Sequence, residues 1–198
     1  MSNPATNSVS VDRRIRKTQA ALKSALSQLM HDKRIKDISV KELTELADVN
    51  RGTFYLHYKD VFDLLEQSEK DLLTELHETI GRLNPDEVSK DPTCIFEGVY
   101  GLCKENAGLV HILIGENGDI KFLNRLKELV REKCLTDWSF IVKDHGINHF
   151  DSYYSFVAGG CISLLQYWFS SGMNETPHEL AAITGELLSG GLSMKTKM

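Results

Sequence analysis

The sequence predicts an all-α protein of about nine helices, and three observations carry that expectation. Apolar residues recur at three- and four-residue steps along most of the chain, the spacing of one helical face. Only four prolines occur in 198 residues, and no hairpin dipeptide separates alternating apolar runs, which argues against a β architecture. Helix-start signals stand where the periodicity resumes, such as Ser39 ahead of Val40 and Asp60 ahead of Val61.

Taken in order, residues 1–10 are Ser/Asn-rich and read as a disordered tail. From Val11 to His31 the residues Ile15, Thr18, Leu22, Ala25, Leu26 and Leu29 outline a first helix. The polar stretch HDKRIKDIS ends it. Ser39 then caps a short helix from Val40 to Ala47, with Glu42 placed to complete a capping box. The tripeptide Asp48-Val49-Asn50 turns the chain into a third short helix, Arg51 to His57. Asp60 starts a longer one, from Val61 to about Ile80. Gly81–Pro92, with two prolines and no periodicity, reads as a linker. Beyond it lie helical stretches at Thr93–Glu105, in the apolar part of GLVHILIGENGD, and at Ile120–Asp144 and Ser152–Ser171. The last, Pro177–Ser189, has Thr176 as its cap and proline at its first turn. The expected architecture is an N-terminal three-helix helix-turn-helix domain (11–72, motif 39–58) followed by a C-terminal antiparallel helical bundle (73–198).

Charge is unevenly divided between these parts. Residues 1–60 hold 11 Lys+Arg against 7 Asp+Glu, and residues 61–198 hold 12 against 21. A basic head on an acidic body suits a chain that offers one end to a polyanion. The opening MSNPATNSVS lacks the apolar core of a signal peptide, and no apolar run nears the ~18 residues of a membrane span. No membrane partner is expected, and the cytoplasm is the expected location. Cys94, Cys103, Cys134 and Cys161 are scattered without a paired spacing, and His145 and His149 read as a solvated loop pair. Neither a metal site nor another cofactor is expected. With no nucleophile elbow, phosphate-binding loop or zinc-protease motif, an enzyme is not expected either.

Two short helices around a three-residue turn, braced by a longer helix, make a helix-turn-helix pattern whose second helix enters the DNA major groove. Phe54 and Tyr58, four apart, are expected to face inward. That leaves Arg51, Gly52, Thr53, Tyr55, Leu56 and His57 at the start and outer faces of the helix. Arg51 can fork onto guanine, Thr53 and Tyr55 offer hydroxyls, and Leu56 suits a thymine methyl. Gly52 lets the helix start approach a phosphate closely. Since each such unit reads one half-site and half-sites lie about one DNA turn apart, ~34 Å, a symmetric homodimer on palindromic double-stranded DNA is expected.

The segment ISVKELTELADVNRGTFYLHYKDVFDLLE (Ile38–Glu66) resembles the DNA-binding domain of the TetR family of bacterial transcription regulators. The likeness rests on Ser39, Leu43, Ala47, Val49, Asn50, the run Arg51-Gly52-Thr53-Phe54-Tyr55, His57, Tyr58 and Leu64, and covers roughly Val11 to Leu72. It implies DNA contacts at Ser39, Lys41, Arg51, Gly52, Thr53, Tyr55 and His57. The chain departs from the family pattern at Thr44, at Asp48 in place of the turn glycine, and at Val61 in place of a phosphate-contacting lysine. Lys59 is the nearest substitute for that lysine.

The resemblance also implies dimerisation through two C-terminal helices and, in many members, a small effector inside the C-terminal bundle. FVAGGCISLLQYWF (Phe156–Phe169) is nearly apolar all round, and Ala158, Gly159, Gly160 and Ser163 would admit a close helix, with Tyr167 on the same interface. Residues placed to line an effector pocket are Phe96, Tyr100, Cys103, Trp138, Ile141, Tyr153 and Tyr154, with His111 or His145. The Gly159-Gly160 to Trp168 segment and the following SSGMNETPHEL look like a subgroup whose C-terminal domain resembles that of dihydroxyacetone-kinase regulators. Some of its members are activators or co-activators. Two readings therefore stand: a dimeric repressor released by a small hydrophobic effector, or an activator whose C-terminal domain binds a partner protein.

Overall fold

The computed structural model describes residues 4–115, 118–136 and 149–193, and every regular element among them is helical. Among the described residues ten α-helices follow one another. They are α1 (Pro4–Asp32), α2 (Val40–Leu46), α3 (Arg51–Tyr55), α4 (Val61–Gly81), α5 (Pro85–Lys90), α6 (Thr93–Glu105), α7 (Ala107–Ile114), α8 (Ile120–Leu135), α9 (Phe150–Ser170) and α10 (Pro177–Ser193), with a 3-10 turn at Ile35–Asp37. The chain divides into two compact units, Met1–Asp71 and Leu72–Met198.

Two expectations need correcting. The stretch read as a disordered tail is helical from Pro4 onward, continuous with α1. The stretch read as a linker contains α5. Asn84 caps α5 by accepting the Asp86 N–H at 3.0 Å, Pro85 occupies its first turn, and Val88 is fully buried. A six-residue helix with one apolar anchor shows no periodicity, so only its cap signals it.

The N-terminal unit closes on one apolar core. Leu22, Ala25 and Leu26 of α1 meet Leu43 of α2, Phe54 of α3 and Leu64 of α4. Thr44 is buried but costs little, because its hydroxyl bonds back to the Val40 and Lys41 carbonyls at 2.8 and 3.0 Å. Helix α2 ends in a Schellman motif. The Asp48 N–H bonds the Glu45 carbonyl and the Val49 N–H bonds the Thr44 carbonyl, at 3.3 and 3.0 Å. Asp48 sits at φ 51°, the left-handed conformation that glycine most often supplies at this position.

In the C-terminal unit α6 and α10 pack closely against each other. Gly185 makes that approach possible, since a Cβ there would lie 2.6 Å from Thr93 Cγ2. Tyr100 of α6 bonds Thr184 of α10 through their hydroxyls at 2.9 Å, and its ring lies 6.3 Å from the fully buried Trp168 of α9. The Trp168 indole N–H donates to the Glu175 carbonyl at 3.1 Å, fixing the turn into α10. Thr176 and Glu179 form a reciprocal capping box there: the Glu179 N–H reaches Thr176 Oγ1 at 3.2 Å, and the Thr176 N–H reaches Glu179 Oε2 at 2.8 Å. Arg131 of α8 reaches Asp151 of α9 at 2.7 Å.

Candidate nucleic-acid interface

Helix α3 spans barely more than one turn, so its position depends on caps and packing rather than on its own hydrogen bonds. Asn50 caps it by accepting the Gly52 N–H at 2.7 Å. Phe54 is fully buried and Tyr58 nearly so, their rings 5.7 Å apart. The outward set follows from that anchoring. Arg51, Gly52, Tyr55 and Leu56 are exposed, and Thr53 and His57 are half-buried. Leu56 is 81% exposed and Tyr55 53%, although both are large and partly or wholly apolar. Neither is spent on the protein's own core.

Gly52 has a local reason as well as an external one. A Cβ there would stand 3.2 Å from Asn50 Oδ1, crowding the oxygen that caps the helix. Ser39 opens α2 in the same manner, accepting the Glu42 N–H at 3.2 Å, while the Glu42 carboxylate is engaged by Lys33. Lys41 is exposed and lies 3.9 Å from Glu45 on its own helix. An open groove of about 510 Å³ runs between α2 and the start of α3. Lys41, Glu45, Asp48 and Arg51 all border it, so cations and carboxylates mix along its walls.

Val61 is more than a missing lysine. It is 3% exposed and belongs to the core of the N-terminal unit. Its neighbour Phe62 is 54% exposed. The exposed cation at this end is Lys59, whose N–H donates to Asp63 Oδ2 at 2.8 Å while the Asp63 N–H reaches Asp60 Oδ1 at 2.8 Å. The amide bond from Lys59, followed by the Gln67 side chain, holds the Asp63 carboxyl below its ordinary range.

The residues expected around an effector meet different fates. Tyr100 is a core residue: it is buried, bonded to Thr184 and packed beside Trp168. Phe96 is half-buried and stacks on Tyr100 at 6.3 Å. Burial pushes the Cys103 thiol up to about 12, and the Cys134 and Cys161 thiols to about 11. Tyr153 is half-buried, and Tyr154 donates its hydroxyl proton to the Lys127 carbonyl. His111 is exposed and stacks on Phe169, ring centres 5.6 Å apart. Trp138, Ile141 and His145 lie outside the described residues.

On α9 the small residues divide. Ala158 and Gly159 are half-buried at the margin, while Gly160, Ser163 and Tyr167 are exposed on one face with Phe156. A Cβ at Gly159 or Gly160 would meet nothing within 4 Å of the same chain. Ile183 and Leu187, one turn apart on α10, are exposed too. Sequence reasoning missed Phe156, Phe62 and the Ile183–Leu187 pair. Their type suggests burial, and only packing shows that this chain does not bury them.

A capped helix-turn-helix unit followed by an α-helical domain defines the class, that of helix-turn-helix transcriptional regulators. The chain belongs within it to the TetR family: the family model TetR_C_8, described as a transcriptional regulator C-terminal region, matches residues 90–190, just over half of the chain. The chain is 38% identical over 64 residues to an uncharacterized HTH-type transcriptional regulator, YxbF, of Bacillus subtilis strain 168; the match takes in 32% of this chain and only 16% of that protein. Two solved structures share its fold. The fatty acid degradation regulator FadR from Bacillus halodurans superposes with a TM-score of 0.62 at 13% identity, covering 88% of this chain and 96% of that one. The dihydroxyacetone kinase operon activator DhaS superposes with a TM-score of 0.55 at 19% identity, covering 89% and 97%. Among the described residues no helix is long and apolar enough to cross a membrane.

Proposed function

We propose that the chain is a homodimeric repressor that binds a palindromic operator through α3 and is released by a small hydrophobic effector in its C-terminal unit. The observation that carries the DNA reading is the division of α3. Phe54 and Tyr58 hold it to the core, while Arg51, Gly52, Thr53, Tyr55, Leu56 and His57 face outward from a capped start. In this reading Arg51 and Tyr55 read bases, Leu56 meets a thymine methyl, and Ser39, Lys41, Gly52, Thr53, His57 and Lys59 meet phosphates. The dimer is supported by the exposed stripe Phe156, Gly160, Ser163 and Tyr167 on α9 and by Ile183 and Leu187 on α10. Open space at the Gly160 Cβ position leaves room there for a second helix. The place of action is the cytoplasm, where operator DNA lies.

A second reading, an activator whose C-terminal unit docks a partner protein, is favoured by the engagement of Tyr100 in the core rather than toward a cavity. Selection of binding sites from a randomised duplex pool, followed by gel shifts at several salt concentrations, tests the common core of both readings. Arg51→Ala and Tyr55→Ala are expected to lower operator preference by about 1–3 kcal/mol each. Unchanged preference in both variants would overturn the assignment of α3. Sedimentation at micromolar concentration reads the dimer, and Tyr167→Glu is expected to shift it toward monomer.

A further inference from the structure

The groove between α2 and the start of α3 is bordered by two carboxylates, Glu45 and Asp48, together with Lys41 and Arg51. Neither carboxylate is needed to hold the unit together. Glu45 pairs loosely with Lys41, at 3.9 Å, and the two side chains are 67% and 70% exposed. An ion pair so open to solvent adds little to stability. Asp48 is exposed as well, and it makes the turn with its backbone: its N–H bonds the Glu45 carbonyl, and its left-handed conformation is open to glycine or asparagine too.

Arg51 ties this groove to the face that α3 presents, since it opens that helix and is exposed there. In a helix-turn-helix the start of the second helix meets base edges while the first helix crosses the backbone. The stretch of duplex that receives Arg51 therefore comes against the groove that Glu45 and Asp48 border. An ionised carboxylate accepts hydrogen bonds and donates none. Phosphate oxygens, guanine O6 and N7, thymine O4 and adenine N7 are acceptors too, and they repel it. The donors that the major groove offers are the exocyclic amines, cytosine N4 and adenine N6.

We propose that Glu45 and Asp48 are specificity-determining residues of the DNA interface: they admit sequences that set a cytosine or adenine amine against them and reject the others by repulsion. The proposal rests on the DNA-binding reading above. Such discrimination comes from the penalty on a wrong partner as much as from attraction to the right one. Glu45 also contests Lys41, which reaches a phosphate only by leaving the pair. The sequence-independent grip on DNA, which is electrostatic, is weakened at the same time.

The test uses the full chain with Glu45→Gln and Asp48→Asn, singly and combined. Both changes keep the size of the side chain, and asparagine tolerates the left-handed conformation at 48. The probes are a duplex of random sequence about four DNA turns long and a pool of randomised duplexes from which sites are selected. Sites selected with the unaltered protein should carry cytosine or adenine where the carboxylates face the duplex. The combined variant should accept the other bases there, its preference at that position lowered about fivefold or more, with the remaining positions unchanged. On the random duplex it should bind more tightly, and its log–log salt slope should steepen by about 0.9 per bound protomer as Lys41 gains a phosphate. Glu45→Asp keeps the charge and is expected to keep the slope. Base preferences that stay the same at every position overturn the proposal even if the random duplex is bound more tightly, since the carboxylates then weaken grip without selecting sequence. Arg51→Ala, run alongside, separates the two levels. If it changes the selected sites while the combined variant does not, only the assignment of the carboxylates fails. If the unaltered chain binds neither the random duplex nor the pool at low salt, the DNA-binding reading itself fails and the carboxylate assignment with it.

Discussion

Replacing Tyr100 by Phe and Thr184 by Val, singly and together, tests the polar contact that joins α6 to α10. The two hydroxyls lie 2.9 Å apart, and Thr184 Oγ1 also lies 2.8 Å from the Leu180 carbonyl. A threonine hydroxyl has one proton. The carbonyl takes it, so Tyr100 must donate and Thr184 accept. In Tyr100→Phe the Thr184 proton stays bonded and only an acceptor lone pair is lost, which costs about 1 kcal/mol. In Thr184→Val the phenol proton is left inside with only the weakly accepting sulfur of Cys161 near it. That stranded donor costs about 1–3 kcal/mol. The double variant removes both partners and strands nothing, so it should lose about 1 kcal/mol less than the two single losses added together. Urea unfolding followed by circular dichroism reads these differences as midpoint shifts of roughly 0.3–1 M per kcal/mol. All variants are compared at one protein concentration, because association adds stability by mass action. Losses that add to within about 0.3 kcal/mol would show that the bond contributes nothing and refute the assignment.

Three further outcomes are expected. Asn50→Ala removes the acceptor 2.7 Å from the Gly52 N–H and should destabilise the N-terminal unit by about 1 kcal/mol, with weaker operator binding, whereas Asn50→Asp should retain both; thermal melts and gel shifts check this. Asp63, Asp91 and Glu179 are held below their ordinary values by bonds from the Lys59 amide, the Thr93 hydroxyl and amide, and the Thr176 amide and hydroxyl. Their folded values lie below their unfolded ones, so the stability they add is present above the ordinary carboxylate range and drains away as pH falls through the folded values. Urea midpoints should therefore hold between pH 7 and 5 and drop below about 4; a decline complete at pH 5 would contradict the cap bonds. The Cys103 thiol, pushed up to about 12 by burial, should label slowly at pH 8 in the native protein and quickly in denaturant, as the thiolate is the reactive form.

Much of the recognition unit is legible in the sequence because its signals are local. Ser39 does cap α2, Asp48 takes the left-handed turn position, and Phe54 and Tyr58 turn inward as their four-residue spacing requires, while the Asn50 cap of α3 is seen only in the structure. Spacing places a capping box at Ser39 and Glu42, yet the reciprocal pair of bonds forms at Thr176 and Glu179. Lys33 arrives from elsewhere in the unit to claim the Glu42 carboxylate, and no spacing rule foresees that. Against a family pattern Val61 reads as an absent cation, but its burial makes it part of the core.

By itself the sequence determined the helical class, the order of the long helices and the start of α3 at Arg51, though not its end, which falls at Tyr55 rather than His57. Periodicity, caps and turn residues act over a few positions and leave their mark in the chain. Tertiary structure alone decided that Tyr100 belongs to the core and that Phe156, Tyr167, Ile183 and Leu187 stay exposed. An aromatic or aliphatic side chain has the same sequence signature whether it meets its own core, an effector or a second chain. Which of these covers it depends on what other helices bring to that face.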